Sequence, residues 1–295
     1  MSRFELHGAN ALVTGASRGI GPHIASALAE RGVRVALVAR SADDLAAVAR
    51  ELSRAGADAV AIPADLTCRE GRLATVKAAE RELGGIDILV NNAGGDPQRE
   101  FHRLTEEEIQ AVLDLNLTAA VMLTRLLLPG MLERGRGHVV NISSMAGRTS
   151  FPYTEGYAAA KDGLIAFTRV LRGDYRRQGV SASGVILGPV REAGVGARTA
   201  EEFGLKLPPL ATVRPGAVAK ATIRAIVKDK AELAVMPGPG RTLRAVMDRF
   251  PALGPAMNRA TGANETMRTV AEQRERGALA GRSVTGNEAR RTALS

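Results

Sequence analysis

Seven short apolar segments alternate with helical stretches along the chain, and this alternation constrains the fold more than any other feature. The segments lie at residues 11–14, 33–39, 59–62, 86–90, 138–142, 183–187 and 233–236. The stretches between them are rich in Ala, Leu, Glu and Arg. Near-continuous apolar strands joined by crossover helices indicate a parallel sheet that is covered on both faces. The sequence therefore predicts an α/β fold with about seven strands.

A glycine-rich turn joins the first predicted strand to the first predicted helix. It reads Thr14-Gly-Ala-Ser-Arg-Gly-Ile-Gly21. Glycines let the backbone approach a pyrophosphate closely, and the start of the following helix directs free N–H groups and its positive dipole end toward it. The spacing is GxxxGxG, which differs from the better known GxGxxG. The loop predicts a phosphate site, with an ordinary tight turn as the alternative.

Tyr157 and Lys161 stand four residues apart in a proline-free stretch with helical apolar spacing. Both side chains are therefore expected on one helix face. An ammonium about 4 Å from a phenol supplies on the order of 4 kcal/mol at an effective dielectric constant of about 20. That energy is enough to bring a tyrosine pKa from about 10 to near 7. Ser144, at a neighbouring strand end, is placed to hold a carbonyl oxygen in line with the phenol. In isolation, the same spacing also suits a surface helix pair.

Five motifs follow one another in a characteristic order. They are TGASRGIG, the NNAG of Asn91 to Gly94, Asn116, the NISS that ends at Ser144, and Tyr157-x-x-x-Lys161. Together they resemble the short-chain dehydrogenase/reductase family in its compact single-domain form, from about residue 6 to about residue 238. The resemblance implies a doubly wound parallel sheet, the Rossmann fold, and an NAD(P)-dependent oxidoreductase.

The resemblance also implies a role for each polar residue of these motifs. Tyr157 would be the catalytic acid/base, and Lys161 would lower its pKa and hold the nicotinamide ribose. Ser144 would position the carbonyl, and Asn116 would hold a water of the proton relay. Ser144 lies thirteen residues before Tyr157, which is the family interval. Ser143 is expected to be structural.

Charge at the end of the second strand favours NADP(H) over NAD(H). Ala39 stands where NAD-binding members of the family carry an aspartate, and Arg40 follows it. Arg18, in the glycine loop, is placed to face the same group. Two guanidiniums without a carboxylate suit a dianionic 2′-phosphate and leave a bare ribose without an acceptor. For each arginine, a solvated surface charge is the alternative.

Further cofactor contacts follow from the resemblance. Asp65 matches an adenine-contacting aspartate, with a helix N-cap as the alternative, and the backbone of residues 92–94 would line the cofactor unless it is a simple turn. The full predicted set is Gly15, Ser17, Arg18, Gly19, Ile20, Gly21, Arg40, Asp65, Leu66, Asn92, Ala93, Gly94, Tyr157, Lys161, Pro189 and Val190. One motif departs from the family. Gly188-Pro189 inverts the usual Pro-Gly, and no threonine follows promptly, so the nicotinamide anchoring is left open.

Residues 190–214 correspond to the family's mobile lid. Its apolar residues suggest a fairly hydrophobic carbonyl or alcohol substrate, unless they merely pack the lid onto the sheet. They are Val195, Phe203, Leu205, Leu207, Pro208, Pro209 and Leu210.

Composition favours a cytoplasmic protein. The single cysteine, Cys68, excludes a disulfide framework and a cysteine-rich metal site and suits a reducing compartment. We predict no metal site. No signal peptide is expected, since the chain reaches its first strand within about ten residues. Arg125 and several threonines interrupt the apolar stretch 115–132, which indicates a packed helix and not a membrane span.

Residues 1–240 form the predicted catalytic domain, and residues 241–295 form a basic helical extension. The extension carries ten arginines, no lysine and five acidic residues. Leu243, Val246, Met247, Phe250 and Leu253 form a short apolar face. This pattern suits a helical tail packed on its own domain and fraying near residue 280, or a helix that docks on a subunit or membrane surface. With 3% aromatic residues and no known motif, nucleic-acid binding is not expected.

The sequence therefore predicts interconversion of a ketone or aldehyde with an alcohol. A non-catalytic nucleotide-binding scaffold is the alternative, although such a protein would not need all four proton-handling residues. Epimerisation or dehydration on the same fold also stays open. The resemblance implies a homodimer or homotetramer built on the two long helices after Asn91.

Overall fold

The computed structural model describes residues 4–206, 209–238, 240–250 and 252–292, and its centre is one seven-stranded sheet. All paired strands are parallel, in the order β3-β2-β1-β4-β5-β6-β7. The strands are β1 (Asn10–Thr14), β2 (Arg34–Ala39), β3 (Ala59–Pro63), β4 (Ile88–Asn91), β5 (Gly137–Ser144), β6 (Val180–Leu187) and β7 (Glu232–Val235). The first six follow the Rossmann order, which confirms the predicted fold class.

Helices connect the strands and cover the sheet. They are α1 (Ile20–Ala29), α2 (Ala42–Arg54), α3 (Arg69–Leu83), α4 (Glu106–Leu113), α5 (Ala119–Glu133), α6 (Ala146–Thr149), α7 (Glu155–Tyr175), α8 (Gly194–Glu202), α9 (Pro215–Val227), α10 (Gly240–Arg249), α11 (Leu253–Ala260) and α12 (Ala263–Thr292). A π-helical turn, Asp114–Thr118, joins α4 to α5. Side-chain caps define where two of these helices begin. Thr105 and Glu108 form a capping box at α4, and Ser41 accepts from the Asp44 N–H at α2.

Alternate residues of each central strand enter two separate cores. In β1, Val13 packs into the cluster that includes α1 and α9, whereas Leu12 packs into the cluster that includes α3 and α5. Both side chains are fully buried. Because successive side chains of a strand point to opposite faces, both faces must be apolar, which is why the strands read as continuous apolar runs.

Polar side chains that pair inside the core extend two strands beyond their apolar segments. Strand β6 begins at Val180, not at 183, because the Ser181 hydroxyl donates to Asp229 Oδ1 (2.6 Å) and the Ser183 hydroxyl to the Lys230 carbonyl (2.6 Å). Strand β4 likewise continues to Asn91, whose Nδ2 donates to Asn141 Oδ1 at 2.8 Å. Polar residues whose hydrogen bonds are satisfied in this way can be buried in a strand. A search for apolar segments does not find them.

Among the described residues, one helical run, Glu106–Glu133, is long and apolar enough to span a membrane by length and composition. It comprises α4, the π-turn and α5. Leu123, Leu127 and Met131 of α5 are buried in the core shared with α3 and β5. The core helix of a globular protein meets the same criterion of length and composition. The packing of α5 agrees with the prediction that this stretch is a packed helix.

The C-terminal helices pack against the end of the sheet that carries the predicted site. Met247 of α10 is buried with Met145, Ile165 and Ile186. The Asn258 amide of α11 donates to the carbonyls of the 149–150 loop. The rest of the predicted apolar face is more open: Val246, Phe250 and Leu253 are 38%, 53% and 44% exposed. The Leu243 side chain lies outside the described part, as do residues Leu207 and Pro208 of the lid.

Candidate active site

The structure brings Ser144, Tyr157 and Lys161 together at the carboxyl end of β5. Ser144 ends the strand, and the other two lie one turn apart on α7. The Ser144 hydroxyl lies close enough to the Tyr157 phenol to lower its pKa. The Lys161 ammonium lies 5.6 Å from the centre of the Tyr157 ring and donates to the Ile142 carbonyl at 3.0 Å. The arrangement can present a phenol and a hydroxyl to one small polar group.

Asn116 lies in the π-helical turn and faces the same place. Its Nδ2 donates to the carbonyls of Gly95 (2.7 Å) and Val112 (2.8 Å), and its Oδ1 accepts from the Gly95 N–H (3.2 Å). A Cβ on Gly94 would lie 2.7 Å from Asn116 Oδ1 and 3.3 Å from Lys161 Nζ. Gly94 therefore lets the backbone lie close to both the amide and the ammonium, where a side chain would clash with the amide. Local π-helical turns are frequent at functional sites, and the water-holding role of Asn116 stays a prediction.

Burial is the largest influence on the pKa values of Tyr157 and Lys161. It raises the pKa of Tyr157 to about 12, while the Ser144 hydrogen bond and the Arg198 charge act in the lowering direction and Asp96 acts in the raising one. Burial also lowers the pKa of Lys161 to about 8. The lowering groups at Tyr157 are therefore a hydroxyl and an arginine of the lid, and the predicted effect of Lys161 on this pKa stays a prediction.

Two charged residues that the sequence analysis did not single out flank Tyr157. Asp96 lies on the loop after β4. Its Oδ1 accepts from the Gln98 N–H (3.2 Å), and its buried Oδ2 has no hydrogen-bond partner among the described residues. Burial raises the pKa of Asp96 to about 7. Arg198 lies on α8, within the predicted lid, where burial and the nearby charge of Arg18 lower its pKa.

A small cavity opens beside Tyr157. The cavity is lined by Asp96, Pro97, Arg99, Leu104, Ile109, Val112, Tyr153, Glu155, Gly156 and Tyr157. Of the apolar lid residues, Leu210 is 93% exposed and Pro209 is exposed as well, and the hydrophobic substrate stays a prediction. A larger groove, which includes Leu6, Arg31 and Lys220, lies near the amino end of β1 and contains no residue of the predicted site.

The glycine loop forms a cradle that side chains would fill. Gly15 has a φ of +65°, and a Cβ on Gly21 would lie 2.1 Å from the Gly15 carbonyl oxygen. Gly19, with a φ of +70°, precedes α1, and no side chain caps the first N–H groups of that helix. Ser17 is half-buried in the loop, and Ile20 begins the helix against Gly194 of the lid. Free amide groups and close backbone access fit a phosphate group.

The ends of β2 and β3 carry the predicted adenosine-side residues. Arg18 and Arg40 are exposed. Hydrogen bonds from the Thr67 N–H (2.9 Å) and hydroxyl (2.7 Å), more than the Arg40 charge, lower the pKa of Asp65. Asp65 is not the N-cap of α3, because the Cys68 thiol accepts there from the Gly71 N–H. Leu66 is buried beneath this edge (4% exposed).

Thr14 fixes the segment from Asn92 to Gly94 beside the cradle. Its hydroxyl oxygen accepts from the N–H groups of Asn92 and Ala93, each at 3.0 Å. The Asn92 amide in turn donates to the carbonyls of Thr14 (3.0 Å) and Gly15 (3.1 Å). This role of Thr14 was not predicted, although the residue opens the glycine motif.

Residues at the start and at the end of the lid segment pair with each other. Val190 is buried and forms a parallel bridge with Val213. The Val213 N–H donates to the Pro189 carbonyl, and the Arg191 N–H donates to the Val213 carbonyl, each at 3.0 Å. The inverted Gly188-Pro189 is therefore compatible with an ordered lid base, and a nicotinamide contact by Val190 stays a prediction.

Comparisons with known proteins agree with this geometry. The family model for short chain dehydrogenases matches residues 9–202. The ketoacyl reductase HetN of Nostoc sp. (strain PCC 7120) is 40% identical over 235 residues, which are 79% of this chain and 80% of that protein.

Two solved structures are also similar. A metagenomic short-chain oxidoreductase in complex with NADP has a TM-score of 0.68 and 32% identity, covering 80% of this chain and 100% of that one. A variant of actinorhodin polyketide ketoreductase with NADPH has a TM-score of 0.72 and 31% identity, covering 81% and 99%. With the matching family model, the Nostoc relative, the sheet order and the glycine cradle, the chain belongs to the short-chain dehydrogenase/reductase family.

Proposed function

We propose that the protein is an NADP(H)-dependent oxidoreductase that interconverts a carbonyl and an alcohol, with Tyr157 as acid/base. The observation that carries the proposal is the convergence of Ser144, Tyr157 and the buried Lys161 at the carboxyl end of β5, next to a cavity and beside the glycine cradle. A ketoacyl group is the substrate class to test first, because the Nostoc relative is a ketoacyl reductase and the actinorhodin protein is a polyketide ketoreductase.

NADP(H) is the proposed cofactor, and when bound it supplies or accepts the hydride. The backbone around Gly15, Gly19 and Gly21 would hold the pyrophosphate, since Gly21 lets α1 begin close against the Gly15 carbonyl and no described side chain caps the first N–H groups of that helix. Arg18 and Arg40, both exposed at this edge, would bind the 2′-phosphate. The NADP and NADPH complexes of the two structural relatives support this choice.

In carbonyl reduction, Tyr157 would donate its proton to the carbonyl oxygen, and the Ser144 hydroxyl would donate a hydrogen bond to the same oxygen. Burial keeps the phenol protonated at neutral pH, so its proton is present for donation. In alcohol oxidation the phenolate would accept the proton, and the Ser144 and Arg198 contributions would make that form accessible.

Lys161 and Asn116 would connect this phenol to the interior of the site. The Lys161 ammonium is buried, and both it and the Asn116 amide lie close to Gly94. A water held by these two groups would have an acceptor on Asn116 and a donor on Lys161, which is the arrangement a proton relay needs. Lys161 would also hold the cofactor ribose, as in the family.

Assembly and location are part of the proposal. We infer a homodimer or homotetramer through the long helices α5 and α7, since Met122 and Val170 on these helices are 38% and 62% exposed. The single cysteine is consistent with a cytoplasmic protein. Light scattering of the full chain at several concentrations tests the assembly.

The test of the proposed function is the oxidation of NADPH by the purified protein with a panel of ketoacyl thioesters and simple ketones. Turnover that Tyr157→Phe abolishes supports the proposal. Binding of NADPH without turnover of any carbonyl would instead favour a nucleotide-binding scaffold, and consumption of a hydroxyacyl substrate without a redox change would favour dehydration.

A further inference from the structure

The C-terminal helix α12 contacts two segments that flank Tyr157, and Arg274 makes most of these contacts. Its Nη1 donates to the Pro97 carbonyl (3.0 Å) and to Gln98 Oε1 (2.9 Å) on the loop after β4. Its Nη2 donates to Thr199 Oγ1 (3.2 Å) and to Glu202 Oε2 (2.6 Å) on the lid helix α8. One guanidinium therefore bonds the loop and the lid to each other.

Neighbouring contacts reinforce this link. The Thr199 hydroxyl donates directly to Gln98 Oε1 at 2.5 Å, so the two segments also meet without the arginine. The Phe203 ring, just after α8, lies 5.3 Å from the Arg274 guanidinium. Arg276, two residues further along α12, is exposed.

A second ion pair anchors the next residue of α12 to the same loop. Glu275 Oε2 accepts from Arg99 Nε at 2.9 Å, and Arg99 Nη1 donates to Glu108 Oε1 at 2.6 Å. Arg99 and Glu275 are 6% and 7% exposed. Buried ion pairs add little to stability once their desolvation is counted, and they are better suited to fixing one arrangement of the chain.

The two linked segments carry the charges beside Tyr157. The loop carries Asp96, and α8 carries Arg198; their charges act on the pKa of Tyr157 in opposite directions. Arg274 lies close enough to both for its own charge to lower the pKa of each. The position of the lid thus decides which charges Tyr157 and a bound substrate meet.

We propose that Arg274 is a positioning residue, and that through it the C-terminal extension holds the lid helix α8 against the 96–99 loop and so forms the wall of the substrate site. This proposal rests on the proposed carbonyl reductase function, since the site it serves is the one beside Tyr157. Arg274 makes no hydrogen bond to the glycine cradle among the described residues, and the lid helix that it holds meets the cradle at Gly194, so cofactor binding should depend on Arg274 less than substrate binding does.

The test compares Arg274→Gln with Arg276→Ala in the full chain. Losing a charged hydrogen-bond network of this kind is expected to raise KM for the carbonyl substrate by about 10-fold and to lower kcat less, since 1.4 kcal/mol is a factor of ten. The Kd for NADPH should rise less than KM in Arg274→Gln, because α8 meets the cradle at its first residue, Gly194, and should stay unchanged in Arg276→Ala. Amide hydrogen exchange of residues 194–202 should accelerate in Arg274→Gln and stay unchanged in Arg276→Ala.

Two further variants keep the test decisive if Arg274→Gln folds poorly. Glu202→Gln removes the negative charge that Arg274 meets on the exposed side of the lid, and Arg274→Lys keeps the positive charge but not the forked geometry. Both should give smaller KM and exchange effects of the same kind. Combined with Arg274→Gln, Glu202→Gln should add little, because the two residues act through one contact.

Unchanged KM and unchanged lid exchange in a folded Arg274→Gln protein would overturn the proposal. An equal loss of NADPH affinity would also overturn it, since the residue would then act on the whole fold. If no carbonyl is turned over by the wild type, the proposed function has failed, and the exchange rates alone still decide whether Arg274 holds the lid.

Discussion

The Ser144 hydroxyl, at the end of β5, lies close enough to Tyr157, in the first turns of α7, to lower the pKa of its phenol. The preceding residue, Ser143, donates to the Lys161 carbonyl at 2.8 Å and is buried. Two consecutive serines, whose side chains alternate along the strand, therefore have different tasks. One contacts the phenol, and the other fixes the helix that carries the phenol, as expected for a structural Ser143.

The first prediction concerns Tyr157→Phe. The ring is retained, so packing changes little, but the proton donor is lost. Turnover of a carbonyl substrate should fall by about 10²–10⁴-fold, the range of general acid–base catalysis. NADPH affinity, measured by fluorescence titration, should change by less than about 3-fold, because the cradle is separate. Tyr175→Phe, at the far end of the same helix, is the control, and activity in Tyr157→Phe equal to that of this control would exclude the proposed role.

The second prediction concerns Asp96→Asn. When Asp96 is ionised, its charge raises the pKa of Tyr157. The variant removes this charge, so the Tyr157 pKa should fall. In the alcohol oxidation direction, the rise of kcat/KM with pH should then move to lower pH by about 0.5–1 unit.

Arg198→Gln is the matched opposite of that change. Its guanidinium lowers the pKa of Tyr157, so the same pH profile should move to higher pH. Shifts of the two variants in the same direction would contradict the described placement of these charges. The aspartate itself titrates near pH 7, so the difference between wild type and Asp96→Asn should grow above that pH.

The residues of the proton site could be predicted from sequence because their geometry is local. A spacing of four places Tyr157 and Lys161 one turn apart on any helix, and Ser144 ends the strand that precedes it. The seven strands were predictable for a similar reason, since both faces of this sheet are apolar. Strand ends were missed where buried polar groups pair with each other, as Ser181 does with Asp229.

The charges around the site could not be predicted in this way. Arg274 and Gln98 are 176 residues apart in sequence, and their contact exists only because α12 returns across the lid. No short-range sequence pattern indicates that α12 packs against the lid. Asp96 carried a weak signal, since it closely follows the NNAG motif, whereas nothing in the sequence distinguished Arg198 from Arg191 and Arg214 of the same segment.

The third prediction concerns the glycine cradle. A Cβ at Gly21 would lie 2.1 Å from the Gly15 carbonyl, so Gly21→Ala must displace backbone. NADPH affinity should fall by more than about 10-fold, and the free energy of unfolding should drop by about 1–3 kcal/mol. Gly173→Ala is the control, because a Cβ there meets nothing within 4 Å on α7. It should bind NADPH normally and gain about 0.5–1 kcal/mol of stability. Wild-type affinity in Gly21→Ala would contradict the cradle.

The fourth prediction concerns the buried charge of Lys161. Burial lowers its pKa from 10.5 to about 8. Between these values the unfolded chain holds a proton that the folded chain has lost, so the free energy of unfolding should rise with pH across this window. Below about pH 8 the charged form is a cost, and Lys161→Met should therefore stabilise the fold at pH 7 by about 1–2 kcal/mol.

The same variant should lose turnover, so stability and activity would change in opposite directions. Denaturant unfolding at pH 7 and pH 10 measures the first effect. A Lys161→Met protein that is less stable than wild type at pH 7, or that keeps the pH dependence between 8 and 10.5, would show that the ammonium is well accommodated.

The most direct test of the central claim is to follow the hydride. The protein is incubated with a ketoacyl thioester and NADPH that carries deuterium at both C4 positions, and the product is analysed by mass spectrometry. The account predicts a hydroxyacyl product with one deuterium on the carbinol carbon, formed by the wild type and not by Tyr157→Phe. Tight binding of NADPH with no deuterated alcohol from any carbonyl of the panel would contradict it.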